Sequence, residues 1–167
     1  MKSLTVLQLK NLVVEELQKN FGAVQSSVLI NTNSSQFGQA GWVAVNDYEA
    51  SLLVERTGWS LEEIAAKVRA VIVTRGAQGS HIHEGGRVHE IPSVKPEKLA
   101  DPTGCGDAYR GGLLFGLQRG LDWPTTGRIA SLMGALKIAH HGTQNHRFGR
   151  DEFAGLYKQA FGVALAV

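Results

Sequence analysis

The stretch that most restricts this chain is Asp101-Pro102-Thr103-Gly104-Cys105-Gly106-Asp107-Ala108, which opens an apolar segment running to Gly120. Two glycines two residues apart let backbone N–H groups crowd around a ligand, and a helix that follows points its positive end at the same place. Such a turn suits a phosphate oxygen. An aspartate beside an anion site is unfavourable unless it takes up a proton or holds a cation. The pairing therefore points to phosphoryl transfer, with Asp107 accepting the proton of an attacking hydroxyl. The plainer alternative is that Gly104 and Gly106 only make a turn and Asp107 caps a helix.

A chain of 167 residues that is 43% hydrophobic can build one packed domain but is short for two. The formal charge is +2 with Lys and Arg scattered, which argues against a nucleic-acid partner or a membrane surface. Cys105 is the sole cysteine, so no internal disulfide framework exists and a reducing cytosol fits. Met1 to Leu9 lacks the long apolar core of a signal peptide, and no apolar run is long enough for a bilayer. The expectation is a soluble, cytoplasmic α/β protein.

Helix and strand patterns alternate along the chain. Leu9, Leu12, Val13 and Leu17 share a helical face, Ser27 to Thr32 reads as a short buried strand, and 33–41 is a loop. Trp42 to Val45 is a second buried strand ending at Asn46. Ser60 and Glu63 form a capping box for a helix through about Arg69. Val71 to Thr74 is a third strand, closed by a turn at Gly76 and Gly79. Buried strands separated by helices predict a mostly parallel, doubly wound sheet. Ser80–Glu84 and Arg87–Ile91 flank Gly85-Gly86, a favoured hairpin turn. Pro92 to Pro102 is a connection without helix. Ile129, Leu132, Met133 and Leu136 make a helical stripe ending near Gly142, and Asp151 is placed to cap a last helix carrying Phe153, Leu156, Tyr157 and Phe161.

From Trp42 to about Gly162 the chain resembles the C-terminal half of a PfkB (ribokinase-like) carbohydrate or nucleoside kinase, closest to bacterial adenosine kinase-like members. Asp101 to Asp107 is similar to that family's second signature, and Asn46-Asp47-Tyr48-Glu49 to its Asn-x-x-Glu motif. Val73 to Gly79 resembles the strand and turn that face the nucleotide, and Gly142-Thr143-Gln144-Asn145 the segment after the penultimate helix. Four matches in the right order carry far more weight than one.

The resemblance implies a ribokinase-like (Rossmann-like), doubly wound sheet with helices on both faces, and ATP-dependent phosphorylation of a sugar or nucleoside hydroxyl. It implies Asp107 as the catalytic base and the N–H groups of Gly104, Cys105, Gly106 and Asp107 as an anion hole. Asn46 and Glu49 would position Mg²⁺ through water. Thr74, Gly76, Gly79, Gly142 and Asn145 would lie along the nucleotide. Asp101 and Thr103 correspond to positions that hold an activating monovalent cation such as K⁺, although Pro102 departs from the commoner Thr.

His81, His83 and His89 invite comparison with a metal site, but hairpin alternation puts His81 and His83 on one face and His89 on the other. Solvated or half-buried histidines are expected instead. His140 and His141, before Gly142, suit the negative end of a helix. Cys105 sits where a helix start favours a thiolate, yet relatives carry Ala there, so it reads as a small packing residue.

Residues 1–41 match none of the family's glycine-rich first signature, substrate-binding acid or lid strands, so 1–41 is expected to be a separate helix–strand segment and 42–167 a nucleotide-binding and catalytic half domain truncated on its N-terminal side. A donor site without an acceptor site should bind better than it turns over. The expectation is an incomplete kinase with weak or no turnover, the alternative an inert nucleotide-binding module. A sheet edge left bare would favour homodimerisation.

Overall fold

The computed structural model describes residues 42–166. The helix, strand and loop expected before Trp42 lie outside these residues. The described residues divide into two compact units, 42–74 with 81–88 and 75–80 with 89–166.

In the first unit, β1 (Trp42–Asn46), β2 (Ala70–Thr74), β3 (Ser80–Glu84) and the start of β4 (Arg87–Ile91) follow one another across a sheet in that order. β1 and β2 are parallel, with Trp42 opposite Ala70 and Asn46 opposite Thr74. A parallel pair needs a crossover. It is supplied by α1 (Asp47–Thr57) and α2 (Leu61–Ala65), which pack on these two strands. Val43, Val45, Val71 and Val73 meet Ala50, Leu53, Ile64 and Ala65 in one apolar cluster. Ala44 and Ile72, on the opposite face of the strands, are buried too. Burial on both faces explains why these strands read as unbroken apolar runs.

α1 was not foreseen from periodicity, because its apolar stripe is thin. Its cap is explicit: Asn46 Oδ1 accepts from Glu49 N at 2.7 Å, and Glu49 Oε2 accepts from Asn46 N at 2.9 Å. Gly58 ends it in the left-handed region at φ 68°. The Ser60–Glu63 capping box forms as expected, but the helix stops at Ala65 rather than Arg69. Lys67 N turns back to Ile64 O at 2.9 Å, tightening the last turn before β2 takes extended backbone at Ala70. The hairpin turn falls at Gly85-Gly86, both at positive φ as a type I′ turn demands.

The second unit is helical. α3 (Cys105–Gln118) lies tightly on α4 (Trp123–Ile138), which also meets α5 (Arg150–Phe161). Small residues permit the first contact: a Cβ on Gly112 would sit 2.5 Å from Ala130 Cα, and one on Gly116 2.5 Å from Thr126 Oγ1. On the other side of α4, Ile129 and Leu132 pack with Phe153 and Tyr157. Three helix boundaries differ from expectation. α3 opens at Cys105, so Asp107 lies in the first turn instead of capping it. α4 ends at Ile138, well before Gly142, although His140 Nδ1 still lies 3.0 Å from Leu136 O. α5 is capped at Gly149, whose N–H meets Glu152 Oε2 at 3.2 Å, leaving Asp151 inside its first turn.

Candidate active site

The signature turn is built by the second unit alone. Gly104 takes φ 84°, which an L side chain resists, and its position faces Thr143: an added Cβ would stand 3.2 Å from three Thr143 atoms. Asp101 stitches the turn together. Its Oδ1 accepts from Thr103 N at 2.9 Å, and its Oδ2 from Gly142 N at 2.8 Å, across 41 residues. Those donors, the Thr103 backbone N–H and hydroxyl first and then Gly142 N–H, hold the Asp101 carboxyl down to about 2.

Helix α3 begins at this turn. The first N–H groups of a helix have no acceptor within it. That of Cys105 is taken by Pro102 O at 3.1 Å, while Gly106 and Asp107 stand exposed at the positive end. The Cys105 N–H expected in the anion hole is therefore already taken within the turn. The Asp107 carboxylate shares this first turn and is bound at 2.7 Å by Arg110 Nη1. The same guanidinium lies 3.5 Å from where a Gly106 Cβ would be. Motif matching did not single out this Arg110 partner of Asp107; its signal was the i,i+3 spacing.

Cys105 is half-buried, and its Sγ lies 3.9 Å from Asp101 O. Burial pushes the thiol up, outweighing the nearby Lys137 ammonium, so the thiolate expected at a helix start is not favoured. The packing role expected for this residue agrees with that environment. Behind the turn, Ser80 Oγ and Tyr109 Oη share a buried hydrogen bond of 2.6 Å. Burial, only partly offset by that bond, raises the phenol to about 12.

The residues expected along the nucleotide fall in two places. Gly76 and Gly79 flank a tight turn in which Arg75 N reaches Gly79 O at 2.8 Å. A Cβ on Gly79, at φ 86°, would fall on the carbonyl oxygen of Ile91, so glycine there answers to backbone packing. Gly142 and Asn145 belong to the loop after α4. Asn145 Nδ2 donates to His141 O at 2.8 Å and would meet a Gly142 Cβ at 2.7 Å, so this side chain closes its own loop. Thr74 lies in the first unit, where its hydroxyl donates to Val45 O at 3.3 Å, beside Asn46 in the strand register. Asn46 and Glu49 are joined by the capping box at the end of β1. That cap leaves Glu49 Oε1 as an acceptor beside an exposed Asn46, a donor set compatible with Mg²⁺ held through water.

A monovalent cation fits less well at Asp101 and Thr103. Both Asp101 carboxylate oxygens already take backbone N–H groups. The carbonyl oxygen of Asp101 is covered by Lys137 Nζ at 2.6 Å. Sequence reasoning passed over Lys137 because it sits off the apolar stripe of α4, on the face that carries Thr126 and Ala130 against α3.

The hairpin histidines His81 and His83 are neighbours, as their shared face requires. His81 and His83 have ring centroids 6.3 Å apart. His83 is buried, contrary to the solvated or half-buried state expected for it, with Nδ1 3.8 Å from Glu62 Oε1. Among the described residues no cluster of three or more His, Cys, Asp or Glu could hold a metal ion, and no helix is long and apolar enough to cross a membrane.

Comparison with known proteins gives these features a context. The chain is 31% identical over 102 residues to a nucleoside kinase of Methanocaldococcus jannaschii, covering 61% of this chain and 34% of that protein. It is 34% identical over 104 residues to a ribokinase of Lactococcus lactis, covering 62% and 34%. Among solved structures, the Burkholderia thailandensis nucleoside kinase in complex with inosine superposes with a TM-score of 0.74 at 52% identity, covering 75% of this chain and 42% of that one. The same enzyme with ADP and inosine gives 0.73 at 53% identity. This chain thus spans between a third and a half of the length of the relatives it matches. The fold they share is the ribokinase-like α/β fold. Residues 15–147 match the pattern of the pfkB family carbohydrate kinases, a match that begins upstream of the boundary drawn at Gly41. Covering well over half of the sequence, it makes this chain a member of the pfkB carbohydrate kinase family.

Proposed function

We propose that this chain carries the donor side of an ATP-dependent phosphotransferase whose acceptor is a hydroxyl of a nucleoside or sugar. The observation that carries this reading is the first turn of α3, where the exposed N–H groups of Gly106 and Asp107 and the Asp107 carboxylate share one helix end. The N–H groups would hold a phosphate oxygen. Asp107 would accept the acceptor's hydroxyl proton as the new O–P bond forms and the bond from the γ-phosphorus to the leaving ADP oxygen breaks. Arg110 keeps the carboxylate fixed and brings positive charge beside the anion turn.

Gly104, Gly76, Gly79, Gly142, Asn145 and Thr74 are assigned here to the nucleotide's surroundings, partly through backbone approach and partly by closing its loops. Asn46 and Glu49 are the residues that would hold Mg²⁺, through water and Glu49 Oε1. When bound, that ion supplies counter-charge for the phosphates. Inosine in the Burkholderia complex favours a nucleoside over a free sugar as acceptor. A cytoplasmic location suits such a kinase.

The test is calorimetry together with ADP release, for the parent and Asp107→Asn, with inosine, adenosine and ribose. ADP is expected to bind in the micromolar to millimolar range, roughly 4–8 kcal/mol. Acceptor-dependent turnover in this chain is expected to be weak, and whatever turnover occurs should fall about 10²–10⁴-fold in Asp107→Asn. ADP binding without any Asp107-dependent turnover would favour an inert nucleotide-binding module. Turnover indifferent to Asp107→Asn would remove the base assignment.

A further inference from the structure

Lys137 is the most deeply buried charge among the described residues, with no solvent exposure at all. A buried ammonium persists only where oxygens replace its water. Its Nζ donates to Asp101 O at 2.6 Å and to His140 O at 3.2 Å, and Asp101 Oδ2 lies 3.9 Å away. Two backbone carbonyls and a carboxylate around one dehydrated positive charge form the oxygen surroundings that a potassium ion also seeks. The cage is contributed from both sides of the anion turn: Asp101 leads into Gly104, and His140 leads into Gly142, which Asp101 itself binds.

We infer that the Lys137 ammonium is a tethered monovalent cation that takes the place of K⁺ beside the signature turn, leaving this chain independent of added K⁺. A free ion at Asp101 would have to displace an ammonium from the same carbonyl oxygen and would meet its like charge at close range. Lys137 is thus a positioning residue. It pins the Asp101 backbone to the carbonyl at the end of α4 and thereby sets the Gly104 turn against Thr143. Cys105, whose Sγ sits near the same Asp101 oxygen, fills the space beside this lock.

The nucleotide arm of the test rests on the kinase reading above, while the stability arm does not. Thermal unfolding and ADP titration are compared in potassium, sodium and tetramethylammonium chloride at one ionic strength, for the parent and for Lys137→Ala. The parent should show the same Tm and the same ADP affinity in all three salts. Lys137→Ala should lose stability and about tenfold or more in ADP affinity, and K⁺ but not tetramethylammonium should restore part of both, saturably. A saturable K⁺ response of the parent overturns the inference, and that comparison decides the matter even if the variant fails to fold. So does a folded Lys137→Ala variant with parental Tm, or one that K⁺ does not restore. A parent that binds no ADP in any salt would count against the nucleotide reading alone, since its Tm still reports on the cation.

Discussion

Two small constellations, the Asn46–Glu49 corner and the Asp101–Asp107 turn, are each only a few residues long, yet they are held in opposite ways. Asn46 and Glu49 satisfy one another across three residues, and the corner would form in almost any chain that placed a helix after a strand. The turn at Gly104 is held through Asp101, whose partners lie far along the chain: Lys137, 36 residues from Asp101, and Gly142, 41 from it. The first is written in local sequence. The second exists only when α4 is packed on α3. A motif's length therefore says little about how much of the fold must form before its geometry exists.

The sharpest way to break this contrast is to pry the two helices apart. A Cβ at Gly112 would meet backbone atoms of Ala130 at 2.5 and 2.8 Å, and backbone cannot step aside as a side chain can. Gly112→Val should destabilise the chain by about 3 kcal/mol, read as a lower urea midpoint, and weaken ADP binding in parallel. Its neighbour Gly111 is exposed with open space around the corresponding Cβ. Gly111→Ala should gain up to about 1 kcal/mol from helix propensity and leave ADP binding alone. Similar behaviour of the two variants would show that the helix contact does not support the turn.

Legibility follows the same division. The hairpin at Gly85-Gly86, the Ser60–Glu63 cap and strands β1 and β2 could be read because each is specified by neighbours in sequence. So could the resemblance of the Asp101–Asp107 signature. α1 escaped because its apolar periodicity is weak, although the Asn46–Glu49 spacing was itself a helix-start signal already on view as a motif. Lys137 and Arg110 escaped for different reasons. A lysine in a helix is ordinarily exposed, and only the packing of α4 between two helices buries this one. Arg110 gains its meaning from Asp107 being in the first turn of α3, three residues past the cap at Gly104. The early stops of α2 and α4 were invisible locally, because each is set by what the next segment must reach.

A smaller effect tests the local corner. Asn46→Ala removes the side-chain cap of α1 and should lower stability by about 1 kcal/mol. Asn46→Asp and Glu49→Gln both preserve a capping geometry, so their urea midpoints should stay near the parent's. That separation lets one site report on two roles. If the corner also holds Mg²⁺ through water, Glu49→Gln should weaken the Mg²⁺-dependent part of ADP binding while stability is kept. A Glu49→Gln variant unchanged in both would restrict the motif to helix capping.

The smallest effect is expected from acid, and it probes a long-range contact in the first unit. His83 is buried, and that burial lowers its pKa below the ordinary 6.5, with the nearby Glu62 carboxylate offsetting only part of the shift. A histidine whose folded pKa is depressed contributes no penalty while both states are neutral. As pH falls through about 6.5, the unfolded chain takes up the proton first, so stability declines until the folded value is passed. His146, lowered chiefly by burial and next by His140, pulls the same way in the second unit. Urea midpoints should therefore slope downward as pH falls below about 6.5, by a fraction of one proton per histidine. His83→Leu removes one of the two titrations and should reduce that slope without abolishing it. A slope unchanged by His83→Leu would mean that the ring takes up its proton at the same pH folded and unfolded, with the Glu62 carboxylate 3.8 Å away cancelling the effect of burial; a steeper slope would mean that the pair with Glu62 outweighs burial. The Asn46 cap is an uncharged amide, so Asn46→Ala should shift the whole curve down in parallel, separating a cap that acts at every pH from a buried ring that acts only in acid.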